Sequence, residues 1–168
     1  MAAETLSPVL PDDIDAAARR VLKKACDAEL SLTAAESCTG GMLASLLTDV
    51  EGVSSAFERG FVVYSVDAKC ELLHIARDTV EQCGAVSEEV AVAMAEGALQ
   101  ASHADIALSI TGFAGPGDPG DEPGLVHFAC ARQGRETAHR EEHFGDIGRG
   151  GVRIACMRVA LEMIEAML

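Results

Sequence analysis

Residues 30–47, with the sequence LSLTAAESCTGGMLASLL, contain the pattern from which the fold class can be inferred. Leu30–Ala34 is short and apolar, and we predict a β-strand there. Two glycines, Gly40 and Gly41, interrupt the apolar run, and a helical pattern starts near Gly41 and continues through Leu47. A strand that turns through glycines directly into a helix is typical of α/β proteins.

The rest of the chain continues this alternation. Its strand candidates are short apolar or alternating runs at 60–65, 105–111, 125–131 and 137–144. Its helix candidates have apolar residues at helical spacing and cover 12–28, 67–74, 77–83, the segment after Ser87, and about 151 to the end. Strands that alternate with helices early and follow each other late predict a mixed sheet with helices on both faces.

Composition and charge limit the class of protein. The chain has 168 residues, 49% of them apolar, which suits one domain over residues 1–168 with residues 1–11 loosely ordered. The net charge of −14 argues against nucleic-acid and membrane-surface partners, because both need clustered cations. No apolar run approaches the roughly 20 residues of a membrane span. Met1–Asp13 has acids without the cations of a secretory signal, so we expect a cytoplasmic protein.

Neither the six cysteines nor the five histidines form a metal-binding or disulfide pattern. No two cysteines are closer than twelve residues, and a chain with this apolar content needs no bridges, so we interpret most of them as reduced and buried. His139 and His143 are four residues apart, but they lie in an alternating, strand-like segment. We therefore expect no metal and no cofactor.

Ala35–Gly41 is the first candidate binding loop, because it follows a predicted strand and leads into a helix. Ser37 and Thr39 supply hydroxyl groups, while Gly40 and Gly41 let backbone N–H groups approach a ligand. Together with the helix dipole, these donors predict an anion site. The alternative is that Ser37 or Thr39 only caps the helix.

Tyr64–Ser65 and Lys69 form a second candidate group. If the strand ends near Ser65, the side chains of Tyr64 and Lys69 face one crevice. A lysine becomes a useful base only when burial or neighbouring cations lower its pKa. The alternative is an exposed lysine beside a packed tyrosine.

Two more segments lie at a strand end and a helix start. Ser109–Gly112 ends a predicted strand and leads into the loop 112–124, whose glycines and prolines are typical of a loop that borders a ligand site. Arg149 and Arg153 lie around the start of the last helix. Because cations there oppose the helix dipole, two arginines suggest a bound phosphate or carboxylate, with a solvated Arg153 as the alternative.

Four ordered segments carry a family resemblance: AESCTGG at 35–41, RGFVVYS at 59–65, GAVSE at 84–88 and TGFAGP at 111–116. With them the chain resembles the CinA carboxy-terminal domain family, the nicotinamide-nucleotide amidohydrolases, from about Ile14 to the last helix. The resemblance implies a three-layer α/β/α sandwich around a mixed, mostly parallel sheet of about five or six strands, often in a homodimer. It also implies hydrolysis of nicotinamide mononucleotide to nicotinate mononucleotide and ammonia, in NAD salvage.

The resemblance also assigns roles. It places Ser37 as nucleophile or as the residue that positions a water, Lys69 as proton acceptor and Thr111 as holder of the carboxamide, with Tyr64 orienting or donating. The substrate- and phosphate-binding positions that it implies are Thr39, Gly40, Gly41, Gly112, Gly115, Arg149 and Arg153. Relatives usually have Asn and Lys where this chain has Val66 and Glu122. The alternative function is a non-catalytic nucleotide-binding or sensor module of the same fold.

Overall fold

A computed structural model, which describes residues 10–168, contains one five-stranded sheet with helices on both sides. The strands are β1 (Leu32–Glu36), β2 (Phe57–Val62), β3 (Ile106–Gly112), β4 (Leu125–Arg132) and β5 (Ala138–His143). The helices are α1 (Asp12–Asp27), α2 (Met42–Thr48), α3 (Val66–Leu73), α4 (Arg77–Cys83), α5 (Glu88–Gln100) and α6 (Gly148–Met167). The predicted alternation of strands and helices is confirmed.

The sheet has the strand order β2-β1-β3-β4-β5. β1 pairs in parallel with β2 and with β3, whereas β4 is antiparallel to both β3 and β5. Four of the five strands therefore point in one direction, and β4 alone points in the other. This is the mixed, mostly parallel sheet that was expected.

Helices cover both faces of the sheet and complete the three-layer sandwich. α1, α2 and α6 bury the face that carries large side chains such as Leu108. α3, α4 and α5 cover the opposite face. α5 lies close to β4 because small residues meet there: Ala91 and Ala95 of the helix pack on Ala129 and Ala131 of the strand.

α3 and α5 are also held close together. Gly97 in α5 lies against the backbone of Leu73, the last residue of α3. A Cβ atom at position 97 would be only 2.2 Å from the Leu73 carbonyl oxygen. Since any other residue would overlap with that backbone, glycine is required for this helix contact.

Three of the boundaries that differ from those predicted affect the candidate site. β1 extends to Glu36, because its central place in the sheet gives the backbone partners on both sides up to that residue. β2 ends at Val62, so Tyr64 lies beyond the strand. α6 begins at Gly148, which places Arg149 and Arg153 within its first two turns.

The parallel arrangement of β1, β2 and β3 brings their carboxyl ends to one edge of the sheet. The loops 37–41, 63–65 and 113–124 leave the strands at this edge. The first turns of α6 lie there too, because the Arg153 Nε atom donates a hydrogen bond to the Cys38 carbonyl oxygen at 2.9 Å. In open α/β sheets, ligands bind at this edge.

Of the segment 1–11 expected to be loosely ordered, residues 1–9 lie outside the described residues. Leu10 packs against the core, and the Pro11 carbonyl oxygen accepts a hydrogen bond from the Ile14 amide at 2.9 Å. Among residues 10–168, none of the helices has both the length and the apolar character required to cross a membrane.

Candidate active site

The ends of β1 and β3 bring Ser37 and Thr111 side by side. Glu36 is paired with Ile110 in the parallel register, and the Ser37 amide donates a hydrogen bond to the Ile110 carbonyl oxygen at 3.0 Å. Ser37 therefore lies beside Thr111, one residue further along each strand. Both side chains are buried and turn toward the layer formed by α3, α4 and α5.

Lys69 meets Ser37 from α3. Its Nζ atom donates hydrogen bonds to the Ser37 Oγ atom at 3.1 Å and to the Val63 carbonyl oxygen at 2.9 Å. Ser65 is the N-cap residue of α3, and its hydroxyl oxygen accepts a hydrogen bond from the Ala68 amide at 3.0 Å. This cap fixes the helix phase and thereby places Lys69 over the end of β1.

The environment of Lys69 favours the neutral amine. The residue is only 1% exposed, and burial lowers the pKa of its ammonium group. No carboxylate within residues 10–168 pairs with it. The alternative of an exposed lysine beside a packed tyrosine is wrong, because Lys69 is buried and Tyr64 is 70% exposed.

Thr111 is held in a fixed orientation. Its hydroxyl group donates to the Ala85 carbonyl oxygen at 2.7 Å. Ala85 lies in the connection between α4 and α5. The Thr111 hydroxyl proton is thus committed, and the oxygen keeps a lone pair that can accept a hydrogen bond from an amide group of a ligand.

Glu36 is a buried capping residue that the sequence patterns did not predict. It is 1% exposed, and its carboxylate accepts hydrogen bonds from the Leu43 amide at 2.9 Å and the Ala44 amide at 2.8 Å. The Thr39 hydroxyl also donates to it, at 2.6 Å. The first turn of α2 is therefore capped by Glu36. The alternative interpretation, in which Ser37 or Thr39 caps this helix, is wrong. An acidic residue at the end of an apolar strand was the available signal.

Glu36 leaves other donors of the loop free. The Gly40 amide donates to the Ser37 carbonyl oxygen at 3.1 Å and is committed. Within the described part of the chain, the amides of Cys38, Thr39 and Gly41 donate to no acceptor. Gly40 and Gly41 have left-handed φ angles of 63° and 99°, which glycine adopts without strain. The loop can therefore offer backbone N–H groups to an oxyanion next to Ser37.

Two cavities adjoin this loop and divide the predicted binding residues between them. The smaller, of about 110 Å³, is lined by Cys38, Tyr64, residues 112–117 and Arg149. The larger cavity has a volume of about 510 Å³. It is lined by residues 39–42, Ser45, Gly150, Arg153 and Ile154. The catalytic candidates Ser37, Lys69 and Thr111 line neither of these two cavities and are buried.

The two arginines belong to different cavities. Arg149 lies against Gly115, where a Cβ atom would be 3.2 Å from its guanidinium group. Arg153 lies against Gly40, where the corresponding distance is 3.4 Å. The sequence analysis grouped both arginines at one phosphate end, whereas the structure places Arg149 with the loop 112–117. Arg153 is anchored to the Cys38 carbonyl and is not freely solvated.

A family model described as the CinA C-terminal domain matches residues 14–168. The chain belongs to the CinA C-terminal domain family. The resemblance inferred from the four sequence segments is thereby confirmed.

Known relatives of this CinA domain agree with the assignment. The nicotinamide-nucleotide amidohydrolase PncC of Escherichia coli strain K12 is 47% identical over 137 residues, 80% of this chain and 82% of that protein. The structure of the competence/damage inducible protein CihA of Agrobacterium tumefaciens is similar, with a TM-score of 0.91 and 42% identity over 94% of this chain and 97% of that one. A CinA superfamily protein of Escherichia coli has a TM-score of 0.87 and 34% identity over 95% and 94% of the two chains.

The loop 112–124 of this CinA domain meets the smaller cavity with its first half only. Glu122, in the second half, does not line the cavity. Its carboxylate lies 2.6 Å from the Nδ1 atom of His143, and the Nε2 atom of the same ring lies 2.7 Å from Glu141. These two carboxylates raise the pKa of His143. The Glu122 carboxylate is thus directed toward His143 of β5.

One cysteine of the CinA domain, Cys38, lines the smaller cavity. The six cysteines of the CinA domain are unbridged, and three of them are buried: Cys38, Cys130 and Cys156. Burial raises the pKa of Cys130 to about 12, so this thiol is a packing group. Across residues 10–168, no group of three His, Cys, Asp or Glu side chains is arranged to hold a metal ion.

Proposed function

We propose that this protein hydrolyses the carboxamide of nicotinamide mononucleotide, giving nicotinate mononucleotide and ammonia. The observation that carries the proposal is the buried contact of 3.1 Å between Lys69 Nζ and Ser37 Oγ. A serine hydroxyl next to a lysine of lowered pKa is an activated nucleophile with its own base. The 47% identical relative is named a nicotinamide-nucleotide amidohydrolase, which supplies the class of substrate.

In the first half of the reaction, Ser37 Oγ attacks the carboxamide carbon while neutral Lys69 takes the hydroxyl proton. The carbonyl oxygen becomes an oxyanion, which we assign to the free amides of Cys38 and Thr39. When the intermediate collapses, the carbon–nitrogen bond breaks. The leaving nitrogen takes the proton from Lys69 and departs as ammonia, which leaves an ester on Ser37.

Water completes the reaction. It attacks the ester carbonyl carbon while Lys69 accepts a proton from it. The ester bond to Ser37 then breaks, Lys69 returns the proton to the serine oxygen, and nicotinate mononucleotide is released. Thr111 accepts a hydrogen bond from the carboxamide during the first half, and the exposed Tyr64 orients the pyridine ring at the mouth of the smaller cavity.

We assign the phosphate to the larger cavity. There the Arg153 guanidinium and the backbone around Gly40 and Gly41 meet, and a fork of N–H donors suits a phosphate group. Arg149, Gly112 and Gly115 line the smaller cavity and are assigned to the pyridine and ribose. The proposed reaction uses no cofactor and no metal, and activity should survive dialysis against a chelator.

We also propose that the protein acts in the cytoplasm, in NAD salvage, as a homodimer. We assign the apolar side chains of Val62 and Ile147, both at least half exposed, to the contact between the two copies. Sedimentation velocity tests the dimer. A single species of monomer mass across the micromolar range would contradict it.

Ammonia release from nicotinamide mononucleotide tests the function. We expect Ser37→Ala and Lys69→Ala each to lower kcat by about two orders of magnitude or more, because nucleophile and base are removed. The matched controls are Ser54→Ala and Lys23→Ala, whose side chains are exposed. Calorimetric binding of the nucleotide by wild-type protein without ammonia release would instead support the non-catalytic binding module.

A further inference from the structure

A row of polar side chains crosses four strands on the face that carries Ser37. Ser37 lies beside Thr111, Thr111 is paired with His127 of β4, and His127 is paired with Glu141 of β5. Directly opposite side chains on neighbouring strands lie about 5 Å apart and share a face. His127 is therefore the next side chain beyond Thr111, at roughly two strand spacings, or about 10 Å, from Ser37.

His127 is buried, and its ring contacts a second histidine and a carboxylate. It is 7% exposed, and its Nδ1 atom lies 3.1 Å from the Nε2 atom of His139. The two rings stack with their centroids 5.4 Å apart and their planes inclined by 24°. Carboxylates flank the pair at both ends: Glu141 lies 3.8 Å from His127 Nδ1, and Glu88 lies 3.6 Å from His139 Nδ1.

The pair holds together only in some protonation states. A hydrogen bond between two ring nitrogens needs one protonated and one unprotonated nitrogen, so two imidazolium rings repel each other at 3.1 Å. Burial lowers the pKa of His127, which keeps the ring neutral near pH 7. His139 opposes its protonation as well. The carboxylates facing it, Glu141 from β5 and Glu88 and Glu89 from α5, favour protonation.

The same residues close a ring of contacts around Thr111. The Thr111 hydroxyl is bonded to Ala85, which precedes α5 by three residues. The first residue of α5, Glu88, contacts His139, and His139 contacts His127, which lies opposite Thr111. Thr111 is therefore hydrogen-bonded to the connection before α5 on one side and lies opposite His127 of β4 on the other.

We propose that His127, held by His139, is a positioning residue for Thr111 and thereby for the carboxamide of the substrate. The proposal rests on the proposed hydrolysis. Neutral His127 keeps Thr111 in place, and protonation of both rings separates the pair and displaces Thr111. Carboxamide binding is therefore sensitive to acid, and the serine–lysine chemistry itself is not altered.

The test is the steady-state kinetics of ammonia release from nicotinamide mononucleotide as a function of pH, in wild type, His127→Gln and His139→Gln. We expect His127→Gln to raise KM about tenfold and to change kcat much less, since Ser37 and Lys69 stay in place. His139→Gln leaves His127 in the core and should raise KM by a smaller factor. The control is His103→Gln, an exposed residue outside the ring of contacts.

The pH profile separates positioning from folding. In wild type, KM should rise as the pH falls below about 6.5, the ordinary pKa of histidine. In His139→Gln this rise should be lost, because no second imidazolium ring remains to repel His127. An unchanged KM and an unmoved profile in both variants would overturn the proposal.

The failure of the proposed function has a different signature. If wild type binds nicotinamide mononucleotide but releases no ammonia, the hydrolysis is refuted. Calorimetric Kd values then replace KM in the same comparison. A weaker Kd in His127→Gln than in His103→Gln still supports the positioning role, and equal values overturn it.

Discussion

Two groups of cationic side chains, one in each helical layer, have opposite environments. On the side of α1 and α6, Glu165 accepts hydrogen bonds from Arg20, at 3.0 Å, and from Lys24, and these cations lower the pKa of the Glu165 carboxyl to about 2. On the side of α3, Lys69 is buried against the Ser37 hydroxyl and the Val63 carbonyl, with no carboxylate partner among residues 10–168.

The difference separates structure from chemistry. Arg20 and Lys24 are about half exposed, so water already solvates their charges and the ion pairs add little. Lys69 loses its hydration without gaining a carboxylate, and its amine is therefore a better base near neutral pH. In this protein, paired charges on the surface contribute modestly to stability, and the buried amine of Lys69 lies at the proposed site of reaction.

Lys69→Met gives the largest expected effect and changes activity and stability in opposite directions. We expect ammonia release to fall by two orders of magnitude or more. The free energy of unfolding at pH 7 should be equal to or greater than that of wild type, because a desolvated amine is replaced by an apolar side chain of similar length. Urea denaturation measures the second effect.

The pH dependence sharpens this prediction. Because the pKa of Lys69 is lowered in the folded protein, the unfolded chain holds a proton that the folded chain has lost, up to the ordinary pKa of 10.5. Wild-type stability should therefore rise with pH through that window relative to Lys69→Met. A variant that is clearly less stable than wild type at pH 7 would show that Lys69 is a structural residue.

Glu36→Gln should have an intermediate effect, because it changes a buried cap and leaves Lys69 in place. Glu36 accepts two amide hydrogen bonds and one hydroxyl hydrogen bond, and a glutamine would turn an NH₂ group toward one set of donors. We expect a loss of about 1–3 kcal/mol in the free energy of unfolding. Urea denaturation of Glu51→Gln, an exposed position, is the control. Equal midpoints for the two variants would contradict the capping role.

Glu165→Gln should have the smallest effect. Removing the carboxylate from the pairs with Arg20 and Lys24 should cost less than about 1 kcal/mol, and the loss should disappear in about 1 M salt. In wild type the contribution is present above the ordinary carboxyl pKa of 4.5 and is lost as the pH falls toward about 2. Thermal melts in low and high salt measure it. A loss as large as that of Glu36→Gln would contradict the minor contribution expected of these surface pairs.

Local patterns predicted most of the fold and part of the site. Apolar periodicity and the Ser87 cap located α5, and Ser87 does accept a hydrogen bond from the Val90 amide. The strand–glycine–helix order of residues 30–47 located Ser37 at a strand end. These features depend on residues close in sequence, and their physical causes are visible in a single segment.

The parts that were missed depend on residues far apart in the chain. The contact between His127 and His139 depends on the register of a hairpin, and its place beside Thr111 depends on a second pairing, of β3 with β4. The separation of Arg149 from Arg153 depends on how α6 lies against two different loops. Spacing along the sequence carries no information about either.

Through its contact with Leu73, Gly97 controls the distance between Lys69 and Ser37 although it has no functional group. α3 carries Lys69, and its last residue, Leu73, packs against Gly97. The distance between α3 and α5 at this contact therefore determines how far α3 lies from the end of β1. A methyl group at position 97 would push α3 away from α5 by a fraction of an ångström or more. Because misplacement by about 1 Å can cost a hundredfold in rate, the proposed reaction depends on the spacing between α3 and α5 that glycine at position 97 allows.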